Sequence, residues 1–217
     1  MNISATSRTD FDAPFQARLV DLFSLRRDVR QFKQEGLQAG TIERLIQTAC
    51  LAPSVGLSEP WRFVIVRDPH RRAAIHACFM EENARALEAQ SSDRAEAYAR
   101  LKLEGLIDAP EHVAVFADRT TGQGHGLGRH SMPQMIEYSA VMAAHTFWLA
   151  ARAEGIGVGW ISILDPSRVI QILDIPPEWS FLGYLCVGYP ITQSRTPKLE
   201  QDGWEYRRPP ASAITLR

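Results

Sequence analysis

Cysteine is scarce in this 217-residue chain: Cys50, Cys78 and Cys186 are few, odd in number and far apart, with no C-x-x-C pair. Such a set gives no disulfide framework or zinc site, and reads as three small core hydrophobes in a reducing compartment. An excess of charge of one sign is also missing. Lys and Arg number 24 against 25 Asp and Glu, a formal net charge of −1, so there is no bulk field to hold nucleic acid or an anionic membrane. Long apolar runs are lacking too. The opening stretch, MNISATSRTDFDAPF, has no apolar signal-peptide core. The longest apolar stretch, Tyr138 to Ala151, is interrupted by His145 and is too short to span a bilayer. A soluble, cytoplasmic protein with neither nucleic-acid nor membrane partners is expected. Several chemical signatures are absent as well. There is no G-x-G-x-x-G, G-x-x-x-x-G-K-[ST], G-x-S-x-G or H-E-x-x-H, which argues against the commoner dinucleotide, P-loop, hydrolase and zinc-protease sites. His125 and His130 flank a glycine-rich loop with no Cys or carboxylate close by in sequence, so no metal is expected.

What is present is an ordinary globular composition, 45% hydrophobic and 23% charged, in a chain long enough for one domain with a sizeable core. Helical spacing of Phe15, Leu19, Leu22 and Phe23 predicts a helix over Ala13–Leu25. Thr41 is placed to cap a second helix reaching Ala52, stopped by Pro53. Trp61–Val66 and His112–Phe116 are compact apolar runs that read as strands. Between them, after Asp68-Pro69, lie one or two helices whose stretch Glu81–Arg100 is weakly apolar. Thr120–Gly128 holds four glycines and reads as a loop. Pro133–Glu154 predicts a long central helix buried on most sides, with Gly155 just past its end. Val158–Leu164 and Leu182–Val187 read as strands, with a short helix over Pro166–Leu173. Strands separated by helices predict an α/β or α+β fold with a mixed sheet. From Arg195 onward periodicity fades, yet Leu199, Trp204, Tyr206, Ile214 and Leu216 are too apolar for a simple disordered tail. An arm that packs on a partner subunit is expected there.

Two segments carry candidate chemistry. Arg26, Arg27 and Arg30 crowd five residues around Asp28. Three guanidiniums so close repel one another unless an anion or carboxylates sit among them, and a phosphate takes bidentate arginine bonds. A solvated helix end is the other reading, since cations favour helix C-termini. The second segment, Ala52-Pro53-Ser54-Val55-Gly56-Leu57-Ser58-Glu59-Pro60-Trp61, joins a helix to a strand. Its backbone is stiff but offers free N–H and hydroxyl donors, suited to a flat heteroaromatic with carbonyl edges. Equally, Pro and Gly mark plain connectors.

R-R-x-x-R followed about 25 residues later by A-P-S-x-x-x-S-x-P-W-x-F resembles the FMN-dependent nitroreductase family. The downstream order is similar too: a long helix, then G-I-G-V-G-W-I-S-I-L-D (Gly155–Asp165) and L-C-V-G-Y-P (Leu185–Pro190). The resemblance runs from about Leu22 to Arg207. It implies a single α+β nitroreductase-like domain over 1–217, with a mixed sheet surrounded by helices. A helical lid (about 81–106), an extended C-terminal arm (about 195–217) and a homodimer with FMN at its interface complete the picture. Asp28, Leu57, Glu59 and Ser162 depart from the family's usual residues. Together with Gly126-Leu127-Gly128-Arg129 and Met132-Pro133 they resemble one branch, in which reduced FMN is the substrate. There it is cut apart with O₂ to 5,6-dimethylbenzimidazole, the lower ligand of vitamin B12, and erythrose 4-phosphate. A separate NAD(P)H flavin reductase would supply the reduced flavin.

On that resemblance Arg26, Arg27 and Arg30 would hold the ribityl phosphate and the N1/C2 edge, with Arg207 a second phosphate arm. Pro53, Ser54, Val55 and Leu57 would press on the flavin from the other subunit, Asn83 would contact the ring from the lid, and Trp160, Ser162 and Ile163 would line the face near N5. Asp28 is the candidate base and Ser162 the candidate donor or relay. An ion pair steadying the arginines and a strand hydroxyl bonded to backbone are their structural alternatives. A general NAD(P)H-dependent FMN nitro- or quinone reductase, and a flavin-binding protein without turnover, remain as competing functions.

Overall fold

The architecture follows from three repeats of one local device. Asp12, Asp68 and Asp165 each stand one residue before a helix with proline in its first turn, and each accepts from a backbone N–H at 2.8–2.9 Å. The carboxylate satisfies an orphan donor, and proline's fixed φ suits the first turn. The helices so started are α1 (Ala13–Leu25), α3 (Pro69–Glu88) and α6 (Pro166–Leu173); α2 (Thr41–Ala49), α4 (Ser92–Ala99), α5 (Met135–Ala153) and α7 (Lys198–Gln201) complete the set in this computed structural model, which describes residues 10–217. Residues 1–9, on which part of the leader expectation rests, lie outside the described residues.

The strands are β1 (Trp61–Ile65), β2 (Glu111–Asp118), β3 (Gly157–Ile161) and β4 (Trp179–Gly188), in the order β1-β2-β4-β3. Every hydrogen-bonded strand pair is antiparallel. The mixed sheet expected from alternating strands and helices reduces to one isolated parallel bridge, Asp28 to Val158. The reason is topological. β2-α5-β3 is a parallel crossover, but β4 inserts between its two strands and runs opposite to both. The fold is α+β, as expected.

Alternation along the strands builds two cores. Val113, Val115, Leu185 and Val187 face α2 and α5, while Ala114, Phe116, Tyr184 and Cys186 face α3 and α6. Covered on both faces, the strands read as continuous apolar runs. Helix α5 ends as its sequence predicts: Gly155 has φ +76°, Ile156 N–H donates to Ala151 O at 2.9 Å and Gly155 N–H to Arg152 O at 3.0 Å, a Schellman pair.

Four expectations are corrected. Thr41 opens α2 rather than capping it; Gly40, at φ +80°, is the cap. Cys50 is exposed at the end of α2, while Cys78 and Cys186 are buried. Helix α5 is buried along one stripe only, with Tyr138, Val141 and His145 facing outward. β4 starts three residues before Leu182, across a bulge opposite Val115/Phe116. No described helix is long and apolar enough to cross a membrane.

Candidate functional site

The site is built where the chain leaves α1 and runs beside β3. Val29 N–H donates to Val158 O at 3.0 Å, and glycine makes this approach possible: a Cβ on Gly159 would lie 2.1 Å from Val29 O. Packing against Val29 explains the last two glycines of G-I-G-V-G-W, Gly157 and Gly159, while the first, Gly155, ends α5. Trp160 then clamps both charged residues of the segment. Its N–H donates to Asp28 Oδ1 at 2.8 Å, and its carbonyl accepts from Arg30 Nη2 at 2.8 Å. Arg30 Nη2 also pairs with Asp28 Oδ2. Trp160 itself is seated by a glycine, because a Cβ on Gly183 would stand 2.1 Å from the indole Nε1.

Arg26 and Arg27 diverge from this pair. The Arg26 guanidinium lies 4.7 Å from the centroid of the Trp148 ring, and no salt bridge joins it to a described carboxylate. Arg27 donates through Nε and Nη2 to Arg195 O and through Nη1 to Arg26 O. Its role is thus partly structural, pinning the start of the C-terminal segment.

Two cavities of about 320 and 290 Å³ share Arg27, Asp28, Arg30, Lys102 and Lys198 in their walls. The smaller adds Arg26 and Arg207, so six cationic side chains there face two carboxylates, Asp28 and Asp202. Its wall also includes Leu101, Lys102 and Leu103 from the expected lid. Such a surplus of cations in a cleft attracts an anion. Burial, with the charge of Arg207 added, pushes the pKa of both Arg26 and Arg27 down, against the pull of Asp28 on Arg26 and of Glu200 on Arg27. Arg30 Nη1 is buried without a hydrogen-bond partner among the described residues. A buried cationic donor of this kind is costly unless a ligand acceptor meets it.

Asp28 has its pKa raised above the ordinary carboxylate value. Desolvation dominates, against the opposing pull of Arg30, the Trp160 N–H and Arg26. Yet 39% of its side-chain surface still faces the cleft, so the carboxylate remains within reach of a ligand.

The chain assembles Arg26, Arg27, Asp28, Arg30 and Arg207 around one cleft, with the Trp160 backbone bonded to Asp28 and Arg30 behind it; Asn83, Trp160, Ser162 and Ile163 line neither cavity. Ser162 is exposed just beyond β3, and Ile163 packs beside the α3/α6 core. Asn83 accepts from Tyr98 Oη at 2.8 Å, tying α3 to α4. Pro53, Ser54, Val55 and Leu57 line neither cavity. Their loop packs instead on the glycine loop, where Gly124 approaches Gly56 O so closely that a Cβ would lie 2.4 Å away. Leu57 and Glu59 have positive φ, +56° and +41°, a conformation side chains rarely adopt. Ser54 Oγ accepts from Glu59 N–H at 3.1 Å, and Gln123 Nε2 donates to Leu57 O at 2.8 Å. The loop is rigid, and Leu57 is 70% exposed.

Sequence reasoning missed Trp148, Lys102 and Lys198. The spacing of Trp148 within α5 offered only a core position. The tie between lid and arm was missed as well: Trp204 meets Tyr98 edge-on at 6.0 Å and Arg94 at 4.9 Å. Among the described residues no group of three or more His, Cys, Asp or Glu could hold a metal ion.

An α+β sheet carrying a cationic cleft beside β3 defines a class. The profile of the nitroreductase family matches residues 24–189, and the chain belongs to that family. Within it, the chain is 53% identical to a Rhodospirillum rubrum protein named 5,6-dimethylbenzimidazole synthase, over 92% of this chain and 94% of the relative. A Rhodobacter capsulatus protein of the same name is 43% identical over 92% and 97%. Among solved structures, oxidised iodotyrosine deiodinase bound to FMN and 3-iodo-L-tyrosine superposes with a TM-score of 0.71 at 24% identity, covering 92% of this chain and 97% of that one.

Proposed function

We propose that this chain is a 5,6-dimethylbenzimidazole synthase: a single-domain, cytoplasmic homodimer that consumes reduced FMN and O₂, with a separate NAD(P)H flavin reductase supplying the flavin. The observation that carries this reading is the 53% identity, over nearly the full length of both chains, to a relative of that name.

The residues present suit FMN. A phosphate would meet Arg26, Arg207 and the cations around them, and the acceptor edge of the ring would take the unpaired Arg30 Nη1. Reduced FMN, when bound, supplies both the electrons and the carbon skeleton. Asp28 acts as the base toward the ribityl chain. Its raised pKa brings its basicity closer to the working pH, and Trp160 N–H and Arg30 hold one face of the carboxylate in place. Ser162 offers a hydroxyl from the end of β3. Residues 101–103, from the expected lid, line the cleft and would limit water there once a flavin is bound. Pro53, Ser54, Val55 and Leu57 would reach the ring only from a second copy, since they line neither cavity of their own chain. Apolar side chains left exposed on α1 and the arm, Val20 at 61%, Ile214 at 69% and Leu216 at 88%, are suited to a partner.

The test is aerobic incubation with FMN, an unrelated flavin reductase and NADH. Appearance of dimethylbenzimidazole supports the synthase. Rapid NADH oxidation with nitroaromatics by the protein alone indicates a reductase instead, and tight FMN binding with neither outcome indicates a storage protein.

A further inference from the structure

Arg26 is held in an unusual way. It is half-buried and makes no salt bridge to a described carboxylate; Asp28 attracts it without a direct contact, while Arg207 and His145 lie near enough to oppose its charge. Attraction at that range does not fix the orientation of such a side chain. What holds it is the face of Trp148, 4.7 Å from the guanidinium carbon, a cation–π contact that leaves the N–H edge of the guanidinium free for a ligand. A carboxylate in that place would have used those donors and cancelled the charge. Trp148 is in turn fixed by Trp160, whose ring centroid lies 6.2 Å away at an interplanar angle of 31°. Trp160 is the residue whose backbone holds Asp28 and Arg30.

We propose that Trp148 is a positioning residue that presents Arg26 to the phosphate of the flavin, and so sets the preference for FMN over the phosphate-free riboflavin. The inference rests on the flavin reading of the cleft. Through the Trp148–Trp160 contact, one pair of rings aligns the phosphate end of the cleft with its Asp28–Arg30 floor.

The experiment measures dissociation constants of oxidised FMN and riboflavin by flavin fluorescence, for the full chain and for Trp148→Leu, Trp148→Phe, Arg26→Ala and the double variant Arg26→Ala/Trp148→Leu. Trp148→Leu is expected to weaken FMN about five- to thirtyfold while changing riboflavin less than about twofold. Trp148→Phe, which keeps a ring face, should fall between, and it carries the test if the leucine variant does not fold. In the Arg26→Ala background the leucine substitution should leave the FMN-to-riboflavin ratio unchanged. Equal weakening of both ligands, or an unchanged ratio in the single Trp148 variants, overturns the proposal. An unsubstituted protein that binds both flavins alike would overturn the phosphate reading of the cleft itself, a different result from a Trp148 variant that keeps its discrimination.

Discussion

The sheet core and the cleft beside β3 treat buried polarity in opposite ways. In the core, His112 Nδ1 and Tyr184 Oη meet at 3.0 Å with both side chains fully buried. Ser139 Oγ accepts from Val55 N–H and donates to Met135 O, again without exposure. Each group finds its partner inside the protein, and the environment keeps the pair neutral: burial and Arg72 hold His112 down to about 4, and burial pushes Tyr184 up. In the cleft, Arg30 Nη1 is buried with no hydrogen-bond partner among the described residues, and Arg26 rests on a ring face without a salt bridge to a described carboxylate. Two further buried oxygens lack a hydrogen-bond partner, Ser58 Oγ in the rigid loop and Glu111 Oε2, the latter 3.9 Å from Arg72 Nη2. Polarity that the fold completes for itself serves stability; a cleft whose six cations outnumber its two carboxylates, with Arg26 and Arg207 in no salt bridge to a described carboxylate, is what an anionic ligand requires.

Four substitutions or conditions test that contrast. The largest effect is expected in the cleft. Asp28→Asn keeps the acceptor for Trp160 N–H but removes the proposed base, and should lower dimethylbenzimidazole formation by at least about 100-fold while FMN affinity stays within about threefold, read by product chromatography and fluorescence titration. The next belongs to the core. Because His112 is neutral in the fold and titrates near 6.5 when unfolded, only the unfolded chain takes up a proton between about pH 6.5 and 4. Stability is therefore full above pH 6.5 and should fall by about 3 kcal/mol as the pH drops to 4, measured by urea unfolding, with a His112→Phe variant losing most of that slope. Gly183→Ala crosses the two regions: its Cβ collides with the indole of Trp160. It should cost about 1–3 kcal/mol and also weaken FMN binding, since Trp160 carries the floor of the cleft. The smallest effect is expected for Tyr184→Phe. Stranding His112 Nδ1 should cost about 1–2 kcal/mol of stability with flavin binding unchanged, and any loss of binding there would erase the distinction between core and cleft.

What could be read before the structure divides along similar physical lines. Helices α1 and α6 were legible to the residue, because Asp-Ala-Pro and Asp-Pro write their own starts. The cleft segment Arg26–Arg30 was legible because its charges are crowded within one short stretch. Strand directions were not, since β4 enters between β2 and β3 from later in the chain. Trp148 was not legible as a site residue, because its use depends on which face of α5 meets a residue 122 positions earlier. The His112–Tyr184 pair was hidden for the same reason: it is a diagonal neighbour across β2 and β4, set by register rather than by local pattern.

Single turnover without any reductase tests whether the flavin is consumed rather than recycled. Photoreduced FMN is mixed anaerobically with excess protein, O₂ is admitted, and flavin and benzimidazole are quantified. Dimethylbenzimidazole is expected to appear as FMN disappears, close to one for one, with no NAD(P)H present. Quantitative recovery of oxidised FMN with hydrogen peroxide and no benzimidazole would contradict it.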